Sequence, residues 1–399
     1  MIILHHIPVV NGATQTLLVD KGVIHVAGNS NSLHLPSPKE SSGPDALPLH
    51  LDNCIAFPGL INSHDHLDFD LFPKLGNRVY NDYTEWGTDI HAVNKHLIDP
   101  VLQVPRDLRV QWGVYKNLLN GVTTVVHHGH YVSAPDACIE VFQDCNMLHS
   151  VQLEKGWRLK LNKPLGNGRP WAIHIGEGTN AKARQEINTL INWNIFKKKL
   201  IGIHGVAMDA RQARAFAGLV WCPDSNFFLL GATAAINQLK QSTSIVFGTD
   251  STLSAGWNTW EQVRLARKTG LLTDEELFNA LTTSPAALWN KPQVGALKEG
   301  MQADIVIARQ KGQPGSLDSF FAINPEDILL VLKKGKIVLF DESLLHQLHL
   351  SEQVLQDYSA IGVNNAGKYV AGDLQALIRA IHAHAPGLAL PVKSVAQTA

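Results

Sequence analysis

From Phe57 onward, short apolar runs alternate with stretches whose apolar residues recur every three or four positions. Phe57–Asn62, entered through a Pro-Gly turn, reads as a buried strand, and Val122–Val126 (VTTVV) as the next. Between them, Leu108, Trp112, Tyr115 and Leu119 follow helical spacing over about 105–120, and Gly121 ends that helix. A second helix is predicted over Asp136–Asn146, then strands at Leu148–Leu153, Ala172–Ile175, Leu200–Ile203, Leu219–Cys222 and Ser244–Phe247. Their intervals suit one strand-and-helix unit each. With Arg158–Leu161 as a compressed eighth strand, the pattern predicts an α/β fold closed as an eight-stranded TIM barrel, its third and fourth units shortened.

The two ends differ in texture. Ile2–Leu4, Thr16–Val19 and Val23–Val26 are β-like pieces separated by Asn-Gly and Lys-Gly turns, and Ser30–Pro48 reads as an exposed loop. After Asp250 come a helix over Asn258–Lys268, another opened by a Thr273/Glu276 capping box, and a short one with Pro285 at its first position. β character returns at Asp304–Ala308, Ile328–Leu332 and Lys336–Phe340. Neither end has enough strands to bury a face alone, so they are expected to share one small sheet domain beside the barrel. The expected division is 1–54 and 294–345 for this composite β-sandwich, 55–293 for the barrel, and 346–399 for a helical extension and tail.

Composition narrows the class. Over 399 residues, Lys plus Arg number 34 against 35 Asp plus Glu, which argues against a nucleic-acid or anionic-membrane partner. The four cysteines form no C-x-x-C pair, so zinc fingers and a disulfide framework are not expected. The N-terminus lacks the basic and apolar regions of a signal peptide, and no run reaches the roughly 18 apolar residues of a membrane span. A soluble, cytoplasmic protein is expected. Histidine is the unusual count, at 19.

Side chains alternate along a strand, so His64 and His66 point one way and Asp65 the other. Two imidazoles on one face make half a transition-metal site, although a lone His-x-His is also common on surfaces. In a parallel barrel the active site lies at the C-terminal strand ends. His174 and Glu177, His204, and Asp250 all sit at further predicted ends. Any one alone suits a hydrogen-bonded histidine or a helix cap; together they point to a metal and proton-transfer site.

With PGLINSHDH at 58–66, GVTT at 121–124, HIGEGTN at 174–180, IHG at 203–205, CPDSN at 222–226, GTDS at 248–251 and GALKEGMQADIVI at 295–307, the chain resembles the metal-dependent amidohydrolase superfamily. Within it, the similarity is to the cytosine deaminase and triazine-hydrolase-like branch. The resemblance implies that His64, His66, His174 and Asp250 ligate one divalent metal, zinc or alternatively iron, with Glu177 and His204 beside it for proton transfer and substrate orientation. Such a metal lowers the pKa of water from about 15.7 to near 7. Asp250 or His204 then takes the proton, and Glu177 protonates a ring nitrogen or leaving amine.

Asp65 stands where the family usually has a small residue, and the following stretch, LDFDLFPKLGNRVYNDYTEWGTD, matches no deaminase substrate loop. Lys155 raises the alternative of a carbamylated lysine bridging two metals, whereas Glu177 in HIGE favours one. Candidate substrate contacts are His128, His130, Trp157 and Asn226, set against polar packing, core packing and loop bonding; His127, Trp86 and Trp221 are weaker still. The expected activity is hydrolysis of a non-peptide carbon–nitrogen bond in a small molecule, a cyclic amidine or amide. Its rivals are chloride or an ester or lactone oxygen as leaving group, and a non-catalytic scaffold. A homodimer is left open.

Overall fold

A computed structural model describes residues 1–27, 46–134, 137–164 and 168–395, so most of the expected loop at Ser30–Pro48 lies outside the described residues. At the N-terminus, β1 (Ile2–Pro8), β2 (Thr14–Asp20), β3 (Val23–Ala27) and β4 (Leu47–Leu49) form a sheet in the order β3-β2-β1-β4. Next, β5 (Cys54–Pro58) leaves this group and pairs antiparallel with a strand some 250 residues further on, Val306 opposite Phe57.

Eight parallel strands follow: β6 (Leu60–Asp65), β7 (Val122–His127), β8 (Glu140–Phe142), β9 (Asn146–Ser150), β10 (Trp171–Ile175), β11 (Leu200–His204), β12 (Gly218–Trp221) and β13 (Ser244–Phe247). They form two ladders, β6-β7-β8 and β9-β10-β11-β12-β13. The second meets the first where the Thr249 amide donates to Asn62 Oδ1 at 3.0 Å and the Asp250 amide to the His64 carbonyl at 3.1 Å. No ladder among the described residues closes the ring. Around the strands lie α1 (Tyr83–Val93), α2 (Lys95–Gln103), α3 (Arg106–Leu119), α4 (Trp157–Leu161) and α5 (Ala181–Trp193).

Two expectations fail here. Of the helix predicted over Asp136–Asn146, Asp136 lies outside the described residues and the rest holds β8 and the start of β9, with Ile139 and Phe142 buried. Arg158–Leu161, offered as a strand, is α4. Gly156 precedes it at φ +76°, and Trp157 and Leu161, four apart, are buried while the residues between them are exposed, which is helical and not strand spacing. The short helix near Pro285 begins earlier, at Thr283. The capping box of Thr273 and Glu276 is present.

The C-terminal part contributes β14 (Ile305–Arg309), β15 (Ile328–Lys333), β16 (Lys336–Asp341), β17 (Tyr358–Val363), β18 (Ala366–Ala371) and β19 (Val392–Ser394). With β5 they make a seven-stranded sheet, β19-β17-β18-β16-β15-β14-β5. The extension expected to be helical therefore adds three strands as well as the helix Leu374–His384. The β17–β18 hairpin turns at Asn364, whose φ of +51° asparagine tolerates better than most residues. Leu4, Leu17 and Ile24 of the first sheet share a core with Ile305, Leu330 and Phe340 of the second. The sheets are also tied by the Ile24 amide on the Met301 carbonyl and the Ala303 amide on the Gly22 carbonyl, both 2.8 Å.

Candidate metal centre

The apolar β6 carries His64 near its end and His66 just past it, the first fully buried and the second slightly exposed. β10 supplies His174; Gly176, at φ +62°, then turns the chain so that Glu177 is carried past the strand end. His204 ends β11 at φ +70°, and Asp250 follows β13 at φ +57°. Two non-glycine residues in the left-handed region, both at this site, mark a backbone held in place by its surroundings.

These side chains converge. His174 Nε2 lies 3.1 Å from His66 Nε2 and 3.3 Å from His64 Nε2, and Asp250 Oδ1 lies 3.7 Å from His64 Nε2 and 3.9 Å from His66 Nε2. Ligands at roughly 2.0–2.1 Å around a tetrahedral ion stand a little over 3 Å apart. His174 meets that spacing with His64 and His66 while Asp250 stands wider. The donors form two overlapping groups, one of His64, His66 and Asp250 and one of His64, His174 and His204, each within 4.8 Å and each able to hold a cation. The tautomer agrees: His174 Nδ1–H donates to the His149 carbonyl at 2.8 Å, leaving the Nε2 lone pair facing the other rings. His204 forms a second candidate donor group with His64 and His174, and its Nε2 is also 3.6 Å from Glu177 Oε2 and 3.9 Å from Asp250 Oδ2.

Electrostatics separates the roles. Burial pushes His64 down to about 4 and His174 well below the ordinary imidazole value, so both are neutral and able to ligate at pH 7. Burial alone would raise Asp250, but the facing imidazoles of His64, His204 and His66 outweigh it and hold the carboxyl well below its usual range. Its Oδ2 accepts from Ser225 Oγ at 2.8 Å and Ser254 Oγ at 2.9 Å. Glu177 goes the other way, pushed well up by burial and then by the neighbouring carboxylates of Asp250, Glu186 and Asp82. The two carboxyls are thus shifted in opposite directions, Asp250 toward the anion and Glu177 toward the acid.

The remaining candidates divide. His128 is buried with its ring centroid 4.4 Å from that of His174, hence beside the site. His130 is exposed and contributes only its carbonyl, which accepts from Arg106. Trp157 is packed in the core, and Asn226 is buried behind His204, its Oδ1 accepting from Nδ1–H at 2.9 Å; neither is placed as a substrate contact. Lys155 is exposed in a turn five residues beyond the end of β9 at Ser150. His127 is buried with its ring against the His130 carbonyl, Trp221 donates to Thr233, and Trp86 donates to the Leu75 carbonyl. Sequence reasoning missed His149, Ser225, Ser254 and Glu186; only Ser225 lay in a recognisable motif. A large apolar cavity of about 980 Å³, lined by Phe72, Trp112, Trp257 and Leu388, is separate, with none of the donor set in its wall.

Residues 166–338 match the amidohydrolase family. Among solved structures, an adenosine deaminase from Xanthomonas campestris with bound zinc is 16% identical, with a TM-score of 0.66 over 97% of this chain and 98% of that one. Atrazine chlorohydrolase from Arthrobacter aurescens TC1, complexed with zinc, is 14% identical at a TM-score of 0.63, covering 97% and 100%. Guanine deaminase from C. acetobutylicum, with bound guanine, is 15% identical at 0.59, covering 82% and 94%. No curated protein matches the chain. The fold shared with these structures is TIM-like. Among the described residues no helix is long and apolar enough to cross a membrane.

Proposed function

We propose that this chain is a hydrolase of non-peptide carbon–nitrogen bonds that deaminates a cyclic amidine or opens an amide, with a single zinc ion held by His64, His66, His174 and Asp250. The observation that carries the reading is the placement of Glu177, buried beside the histidine cluster 3.6 Å from His204 and among carboxylates that favour its acid form. An amine leaves only when protonated, whereas chloride needs no acid, so a carboxyl shifted toward its acid form favours nitrogen as the leaving group. The nitrogen-heterocycle deaminases that share the fold support the same reading.

A divalent metal in the donor set would acidify a water and polarise the substrate. Asp250, anchored by two serine hydroxyls, would hold the metal and serve as the base that takes a proton from the attacking nucleophile. Glu177 gives its proton to the ring or leaving nitrogen as the carbon–nitrogen bond breaks. His204, its Nδ1–H committed to Asn226, presents an Nε2 lone pair that orients a substrate N–H or O–H. Burial of all three groups excludes bulk water from these transfers.

The test is elemental analysis of the purified chain with an ammonia-release screen over aminated purines, pyrimidines and triazines, run alongside their chlorinated counterparts. Stoichiometric zinc with ammonia release is expected. A chain without metal, or one releasing only chloride, overturns the reading.

A further inference from the structure

Asp65 lies between His64 and His66, and the structure explains its presence there. Its Oδ2 accepts from Lys116 Nζ at 2.9 Å, Asn117 Nδ2 at 2.8 Å and Asn62 Nδ2 at 3.1 Å. Lys116 Nζ also donates to Asp70 Oδ1 at 2.7 Å, and the side chains of Asp65, Lys116 and Asp70 are at most 1% exposed. Asp70 follows the turn Leu67–Phe69, whose Phe69 ring stacks on His66 with centroids 5.5 Å apart. Asn62 reaches the third element of the site, because its Oδ1 accepts the amide of Thr249, next to Asp250.

One ammonium on α3 therefore grips the chain on both sides of His66. The helix is brought close enough by Gly113, where an added Cβ would stand 2.5 Å from the Leu67 carbonyl oxygen. A buried cation between carboxylates is a weak source of stability, since well-packed apolar replacements are often as good. It does impose geometry, because each partner must meet it along a hydrogen bond. Resting on the metal-hydrolase reading above, we infer that Lys116 is a positioning residue: acting through Asp65 and Asp70, it sets the spacing of His64 and His66 and so the affinity of the centre for its metal. Lys116 touches neither histidine, and no motif marks it.

The test uses the full chain, measuring zinc affinity by competition with a chromogenic chelator and the visible spectrum of the cobalt-loaded form, with thermal unfolding alongside. Lys116→Met and Asp65→Asn are each expected to weaken zinc binding about 10- to 100-fold and to shift the cobalt bands. The double variant should lose little more than the worse single one, because both act along one path. Asp65→Asn leaves Lys116 paired with Asp70, so it decides the matter if Lys116→Met does not fold. Wild-type affinity and spectrum in the folded variants, or losses that simply add, overturn the inference alone. A wild-type chain that binds no metal overturns the hydrolase reading and this inference with it.

Discussion

Glu177→Gln removes a transferable proton and alters little else. The carboxyl is 5% exposed, and its nearest ionisable partner, His204 Nε2, is 3.6 Å away, too far for a strong hydrogen bond. Glutamine keeps the volume, so neither a cavity nor a broken bond follows, and stability in the metal-free chain should change by no more than about 1 kcal/mol. General acid–base catalysis contributes about 10²- to 10⁴-fold, so the barrier should rise by roughly 3–5 kcal/mol. The pH profile supplies a second check. Glu177 acts as an acid and is held protonated well above its ordinary 4.5, so wild-type activity should fall on the alkaline side as it ionises, and that limb should vanish in the variant. The assay is steady-state ammonia release across pH, with zinc content measured on the same samples. Full zinc occupancy with unimpaired turnover would show that the proton travels through His204 and Asp250. Lost zinc would instead place Glu177 among the groups that hold the metal.

Asn226→Ala removes the acceptor of His204 Nδ1–H, and turnover should drop about 10- to 100-fold with zinc content unchanged; an unaffected rate would deny the brace a role. Burial raises Glu186 to about 7 from 4.5, so the folded chain keeps a proton that the unfolded chain releases, and stability should decline as pH rises from 4.5 to 7. In Glu186→Gln, whose Oε1 can still accept the Gly176 amide, urea unfolding should show that decline flattened; an unchanged slope refutes the assignment. Gly59→Ala would press a Cβ to 2.3 Å from Thr123 Oγ1 and Cγ2, at a cost of about 1–3 kcal/mol, and an unshifted urea midpoint would contradict the packing described.

Most of the parallel strands and the helix Arg106–Leu119 were legible because each repeats its pattern over several residues, whereas the helices over 83–103 and 181–193 were not singled out. Val122–His127 and Leu200–His204 are apolar runs between turn signals, and Arg106–Leu119 repeats its buried face over several turns. Short elements were not. Three residues of β8 and five of α4 hold only about one and a half periods, too few to show a repeat, so pairing with β7 makes one a strand and burial of Trp157 with Leu161 makes the other a helix. The candidate site was legible wherever its residues end a strand, since strand alternation orients His64 with His66 and motif spacing singles out His174, Glu177, His204 and Asp250. Their convergence is a tertiary fact, made by chain reversals that place strand ends from distant parts of the sequence within 4 Å of one another. The opposite shifts of the Glu177 and Asp250 carboxyls belong to the fold as well. Both are buried carboxyls, and what separates them is whether the nearest side chains are carboxylates or imidazoles. The same holds for Lys116, an unremarkable helical lysine in the sequence: only the approach of α3 to the turn after β6 buries its ammonium between Asp65 and Asp70, because a charge sealed from water must find its partners in space and not along the chain.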